Sequence, residues 1–487
     1  MKLLLCLQIW LLLAVTSRSQ TRRVGRLQEV FAWKQITYNI EGTMVLEDRF
    51  SEDDLAGGRS KRSADDNVYF SDDDGGERDW NQKPWNAKPI EPEISPAAIN
   101  PSDEIGRFFI QYNNLPMGVE RVGQRLFITV PRRRYGIPAT LNYIDLSTRS
   151  RSPALSPYPN MRASRSLISV YRTRADECGR LWMIDTGAIE IPNNITYLVT
   201  PAIVVFDLTT DRQILRYQLK STDLPAVITP TGFASITVEL RNGDCSDAYA
   251  YVVDVVTYGL VVYSLRQNNS WRHSHNYFSF LPTAGNLRVS GQTFQWNDGI
   301  FSLTMGRARA DGCRPSYFHP MVSFQEFEVS SCELQKSQLN ESVLHLLGDR
   351  GANSQSTMHG IHIPTDVIFF ADIGRDAVSC WNVNRPLNAD NFAVLARDEE
   401  KLSYPSDLHV TGDEVWVMAN RLPRFIYSTV DPDQYNYFIY KAKVQDLIEG
   451  TVCDNANGNG HSNGNYGNSQ SSPEWSSWGH GKRNRRH

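Results

Sequence analysis

The sequence predicts an all-β protein folded as a six-bladed β-propeller, on three observations. Strand patterns dominate between Ile105 and Val452 while helical periodicity is scarce, one type of strand returns six times, and no break in composition splits the body into separate domains. The recurring strand has a polar or glycine lead followed by alternating large apolar and aromatic residues. It is found as RLFITV at 125–130, RLWMID at 180–185, YAYVVD at 249–254, GIFSLT at 299–304, VIFFAD at 367–372 and EVWVMA at 414–419. Successive starts are separated by 47 to 69 residues, close to the period of four-stranded blades with some long loops. Companion strands, ATLNYIDL at 139–146, AIVVFDL at 202–208 and LVVYSL at 260–265, alternate with the period of two that a sheet requires. Each blade buries its faces only against its neighbours, and closing the circle leaves few free edges. On the strands alone, the alternative is a pair of β-sandwich domains.

From the N-terminus, Met1-Lys2 gives a positive start, Leu3 to Val15 an apolar run, and Thr16 to Ser19 small residues, which reads as a secretory signal peptide over residues 1–19. No later stretch has the length and apolarity of a membrane helix, so a secreted, extracellular protein is expected. Residues 20–40 supply an N-terminal strand segment of the propeller. Residues 41–104 read as an acidic, flexible insert, with Asp pairs at 53–54 and 65–66, Asp72 to Asp74, and few apolar residues. Within it, Arg59-Ser60-Lys61-Arg62 has the form that a secretory proprotein convertase cleaves, after Arg62; the alternative is a solvated basic patch in an acidic loop. The propeller occupies 105–453, and the Asn-, Gly- and Ser-rich stretch 454–487 reads as a disordered tail. Sequons at Asn194, Asn268 and Asn340 fit export and are expected glycosylation sites.

The chain has 487 residues, 41% hydrophobic and 21% charged, enough to bury a full core. Its net charge of −4 leaves no global basic surface, so a nucleic-acid partner is not expected. Seven cysteines become six once Cys6 leaves with the signal peptide. An even set in an oxidising compartment, Cys178, Cys245, Cys313, Cys332, Cys380 and Cys453, reads as three disulfides.

Long stretches carry a resemblance. They include VFAWKQITY (30–38), YNNLPMGVERVGQRLFITVPRRRYGIPATLNYI (112–144), DECGRLWMIDTG (176–187), GDCSDAYAYVVDVVTYGLVVYSL (243–265), SWRHSHNYF (270–278), FQWNDGIFSLTMG (294–306), YFHPMVSF (317–324), AVSCWNVNRP (377–386), YPSDLHV and VWVMANRLPRFIYS (404–428). Through them the chain resembles the insect yellow/major royal jelly protein family. The resemblance implies a secreted six-bladed propeller with roles around cuticle and melanin pigmentation; some members accelerate conversion of dopachrome-type intermediates, others bind small amines or act as carriers. Two features depart from the family pattern. The acidic insert separates the first strand from the body, although ladder hydrogen bonds would hold that strand after a cut at Arg62. Cys313 and Cys332 are additional, lie 19 positions apart around an apparent hairpin, and are expected to pair. Topology and resemblance then pair Cys178 with Cys245, each ahead of an inner-type strand, and Cys380 with Cys453.

No hydrolase elbow, P-loop, HExxH or CxxC motif occurs. His273 and His275, one residue apart, share a strand face, and His359 and His362 lie three apart, whereas His319, His345 and His409 stand alone. The expected role of the paired histidines is polar surface rather than metal ligation, and neither metal nor cofactor is expected. Asp185, Asp254 and Asp372 end equivalent strands; they are read as acceptors of turn N–H bonds, with a channel-lining carboxylate for a substrate ammonium as the alternative. By resemblance to amine-binding relatives, the channel mouth is shaped by Tyr404, Ser406, Asn420 and Leu422, the ligand-binding set for a small catechol or indole amine. Binding of pigment precursors without covalent chemistry is the leading expectation and a dopachrome-converting isomerase the alternative. A calcium-dependent lactonase, using residues such as Asp185, Asp254 and Asn420, comes third.

Overall fold

The computed structural model describes residues 22–50, 108–192, 195–225 and 232–455. The expected signal peptide, Arg62 with the acidic run around it, Asn194, and the tail beyond Asn455 lie outside the described residues.

Six antiparallel sheets form a ring. The innermost strands are Gly118–Val122, Val170–Ala175, Phe233–Leu240, Ile300–Met305, Ser356–His362 and Pro405–Thr411, each packed beside those of the neighbouring blades. This corrects the position of the recurring strands. Arg125–Thr129, Arg180–Asp185, Ala248–Asp254, Val367–Asp372 and Glu414–Ala419 are second strands, and only GIFSLT belongs to an innermost one. The reason is burial. A second strand is covered on both faces by adjoining blades and so reads as almost continuously apolar, as in the wholly buried AYAYVVD. The innermost strands face a polar channel and carry charge and hydroxyls, which dilutes their pattern.

The ring closes through the N-terminus. Leu27–Trp33 pairs with Tyr437–Lys443 as the fourth strand of the last blade, with the short Arg23–Val24 outside it, for example Gln28 with Lys441 and Trp33 with Tyr437. The same segment is stitched to the first blade: Ala32 N–H donates to Arg151 O at 2.9 Å, Trp33 Nε1 to Pro153 O at 2.7 Å, and Arg151 grips Glu29 with two bonds of 2.7 and 3.0 Å. Pairing continues past residue 41, with Tyr38–Ile40 against Thr43–Val45 and Arg49–Phe50 against Phe108–Phe109. Phe50 and Phe108, the residues described on either side of the 51–107 gap, therefore stand side by side.

The disulfides are Cys178–Cys245, Cys313–Cys332 and Cys380–Cys453, as expected. The first joins loops that precede second strands, not innermost ones; the last ties the C-terminal turn to the fifth blade. No helix among the described residues is long and apolar enough to cross a membrane.

Candidate functional site

The loops between blades and the loops after second strands gather on the face where the innermost strands begin. The run Arg132-Arg133-Arg134 crosses this mouth, and its three side chains have different fates. Arg132 donates to the carbonyls of Ile137, Pro138, Leu167 and Ile168, so it pins two loops together. Arg134 lies 3.8 Å over the Phe425 ring and donates to Phe425 O at 2.7 Å. The Arg133 guanidinium makes no hydrogen bond or ion pair with the described residues, yet it is the counter-charge felt by Asp298. Asp298 closes the FQWNDG turn, just ahead of the innermost strand Ile300–Met305, and its carboxylate is likewise unbonded. Asp298 is only half-buried by surface area, but the surrounding protein desolvates its carboxyl enough to push it up to about 6 against the pull of Arg133.

Aromatic rings wall the same mouth. Trp296 Nε1 donates to Tyr427 Oη at 2.6 Å, Phe294 stacks on Tyr427 with centroids 5.1 Å apart, and Trp296 meets Tyr404 edge-on at 6.1 Å. The Tyr404 hydroxyl is driven well above its usual range by burial and lies within the fields of Arg172, Asp298 and Arg133.

The four residues expected to bind a ligand do meet here, but their polar atoms are committed to protein. Asn420 donates from Nδ2 to Pro116 O at 2.8 Å and accepts the Leu422 N–H at 2.9 Å; Ser406 Oγ donates to Met117 O at 2.8 Å. Leu422 and Tyr404 are buried. Uncommitted chemistry lies with Asp298 and Arg133, which the sequence reading did not single out. The available signal was their setting: a turn acid between two aromatic-rich stretches, and three consecutive arginines where strand alternation has stopped.

Below the mouth, Arg172 bars the channel. It is 1% exposed and reaches from the second blade to Ser406 O (Nη2, 2.5 Å) and to Ala234 O (Nη1, 2.8 Å), with Asp407 at 3.6 Å and the Phe301 ring at 4.8 Å. Deeper, Arg174 donates to His409 Nδ1, so His409 Nε2 carries the hydrogen that faces Asp407 Oδ1 at 3.1 Å. Burial works to raise Asp407, but His409 and Arg172 hold it below its usual value; in Glu120 burial outweighs His409 and Arg174, and the carboxyl is raised.

A second buried group joins the fourth and fifth blades. His319 Nδ1 is 3.1 Å from Glu326 Oε2, His359 Nε2 is 3.2 Å from Glu326 Oε1, and Arg350 Nη1 donates to Glu326 Oε2 at 2.6 Å. Thus His319 does not stand alone, and His359 does not act with His362, which turns to Asp413 and Thr365. His273 contacts Leu334 O, whereas His275 caps a turn, so that pair forms no joint site.

The strand-ending aspartates serve their own blades. Asp185 accepts N–H bonds from Ile168 and Ser169 and pairs with Arg216; Asp254 accepts from Gly232 and Thr257 and pairs with Arg272; Asp372 accepts from Ser379 Oγ and pairs with Arg375. With Asp185 and Asp254 neutralised by arginine and Asn420 bonded to backbone, these residues do not converge on a cation as a lactonase would need.

The fold and mouth together define a six-bladed propeller with a charge-filled channel and a recessed opening where a carboxylate and a guanidinium, neither bonded among the described residues, sit among aromatic rings. Residues 168–453 match the family model described as Major royal jelly protein, and the chain belongs to that family. It is 44% identical over 361 residues to L-dopachrome tautomerase yellow-f of Drosophila melanogaster, covering 71% of this chain and 83% of that one. To Protein yellow of Drosophila melanogaster it is 41% identical over 360 residues, covering 71% of this chain and 65% of that one, just under two thirds. Among solved structures, regucalcin, a calcium-binding protein from Agrobacterium tumefaciens, aligns at TM-score 0.37 and 12% identity over 69% of this chain and 92% of that one, a likeness that carries no weight for the site.

Proposed function

We propose that this is a secreted pigment-pathway protein that converts dopachrome-type intermediates to their tautomers at the channel mouth. The observation that carries the reading is the pair Asp298 and Arg133, opposite charges close enough to feel one another but not joined, beside Trp296, Tyr404 and Tyr427. Dopachrome is a cyclised amino acid with a carboxylate beside an acidic C–H and a conjugated quinone. Arg133 receives the carboxylate, the rings stack on the bicycle, and Asp298 takes the C–H proton; the electron pair moves into the ring, a quinone oxygen gains a proton from water, and Asp298 returns its proton to the hydroxide so formed. A base near 6 is ionised at neutral pH yet basic enough to accept the proton. Kinship to a tautomerase supports this reading, and the names of the yellow relatives support the pigmentation setting.

The second reading is binding of a catechol or indole amine without turnover, with Asp298 on the ammonium and aromatic faces beside it, worth roughly 0.5–2 kcal/mol. Three disulfides support export, and the exposed Asn268 and Asn340 are proposed to carry glycan. Cleavage after Arg62 by a proprotein convertase is part of the same proposal.

The test is the decay of L-dopachrome absorbance with purified protein, beside calorimetry against dopamine and serotonin. Asp298→Asn should slow turnover by about 10²–10⁴-fold with an unchanged melting curve. Turnover in the wild type that persists undiminished in Asp298→Asn would remove Asp298 as the base; stoichiometric binding with no turnover would establish the second reading.

A further inference from the structure

The contacts within the His319, Glu326 and His359 group do not balance as hydrogen bonds. His319 Nε2 lies 3.0 Å from Thr357 O and 3.2 Å from Ser356 O; carbonyls only accept, so Nε2 carries the hydrogen. In a neutral ring, Nδ1 then presents a lone pair, and at 3.1 Å it faces Glu326 Oε2, another acceptor that already takes Arg350. On the other side, His359 Nδ1 contacts Ser302 Oγ at 2.6 Å, while His359 Nε2 and Glu326 Oε1 face each other with no aligned hydrogen-bond partner. All three side chains are 0% exposed. The His319 lone pair aimed at a carboxylate in a dry interior is repulsive, the His359 Nε2 and Glu326 Oε1 atoms are left without an aligned partner, and burial disfavours the imidazolium that would relieve the contact.

We propose that His319 Nδ1, His359 Nε2 and Glu326 bind a divalent transition metal of the zinc type between the fourth and fifth blades. The three donor atoms lie within 4.8 Å of one another, as ligands around one small ion do. The outer contacts are those of ligating histidines: each ring's second nitrogen meets an oxygen, Thr357 and Ser356 carbonyls for His319 and the Ser302 hydroxyl for His359, which fixes ring and tautomer. Arg350, held by the carbonyls of Ser323, Gln325 and Ser354, fixes the carboxylate, and the buried Asp372 nearby offsets its charge. Two imidazoles and one carboxylate suit zinc rather than calcium or magnesium. Because the ligands come from strands Pro315–Pro320, Gln325–Ser330 and Ser356–His362 and none reaches solvent, the ion enters during folding and acts as a staple between blades.

The experiment uses the full chain secreted from cells grown with added zinc sulfate, dialysed against chelator while folded, and analysed by elemental mass spectrometry. About one zinc per chain is expected in the wild type, and at least tenfold less in His359→Gln and in His319→Gln. Wild-type protein with less than a tenth of an equivalent, or variants with the same content as wild type, would overturn the proposal. Should neither variant be secreted, X-ray absorption of the wild type decides: a zinc shell of two imidazoles with carboxylate oxygen is expected, and a sulfur or all-oxygen shell refutes it.

Discussion

Replacing Arg172 with methionine removes the bar across the channel while keeping most of the apolar stem. The guanidinium is 1% exposed and spends its hydrogens on Ser406 O and Ala234 O, so these carbonyls lose charge-assisted bonds of roughly 1.5–3 kcal/mol each. Asp407, also buried, loses the guanidinium 3.6 Å away; breaking a buried ion pair costs about 3–5 kcal/mol, but the His409 Nε2–H at 3.1 Å and the Val119 N–H at 2.8 Å remain. The lower end of that range is expected, a loss of about 3 kcal/mol for Arg172→Met. Urea unfolding measures it, and a cycle with Asp407→Asn separates ion-pair from carbonyl contributions: the double variant should lose at least about 1 kcal/mol less than the sum of the singles. A loss for Arg172→Met under about 1 kcal/mol, or strict additivity, would refute the view that this arginine ties the second blade to the third and sixth.

Two further outcomes concern the ring and one of its turns. Trp33→Ala should lower stability by about 3–5 kcal/mol, because a fully buried indole and its bond to Pro153 O hold the closing strand, whereas Trp33→Phe should lose less than half of that in the same denaturant titration. Asp376 occupies a left-handed turn at φ 50° and its carboxyl is pushed up to about 8, first by burial and then by Glu399. The folded chain therefore holds this proton more tightly than the unfolded one, a contribution fully present below about pH 4 and lost as pH rises through about 8. Asp376→Asn should accordingly melt higher than wild type, by a margin that widens between pH 5 and pH 8; a constant margin would contradict the assignment.

The propeller was legible because second strands such as YAYVVD are buried on both faces, and burial writes itself into sequence as apolar continuity. The same cause hid the innermost strands: FASITVEL and PSDLHVT carry the channel's polar groups, which break the apolar continuity that marks the second strands. Disulfide partners were legible from topology together with the family resemblance: Cys313 and Cys332 lie only 19 positions apart, Cys178 and Cys245 precede strands of successive blades, and Cys453 reaches back to Cys380 in the fifth blade. The mouth was legible only in outline. Asn420 and Ser406 looked available, but no sequence rule announces that Pro116 and Met117, some three hundred residues earlier, supply the carbonyls that occupy them. His319 with His359 was invisible for a similar reason: the two stand forty residues apart and on different blades, so neither strand spacing nor helix spacing relates them.

The pairing of Leu27–Trp33 with Tyr437–Lys443 also orders events in time. The strand Leu27–Trp33 leaves the ribosome some four hundred residues ahead of its partner, so the blades between must assemble as an open arc. Bringing together ends separated by about 400 residues costs on the order of 5 kcal/mol of chain entropy, a modest toll for a full ladder. Until it is met, the Tyr437–Lys443 backbone presents a naked edge, and a nascent copy nearby offers an equivalent first strand to fill it. Crowded synthesis therefore favours exchanged dimers wherever self-closure is slowed, and strand-weakening substitutions at Phe31 or Trp33 would surface as misassembled chains before they surface as lost activity.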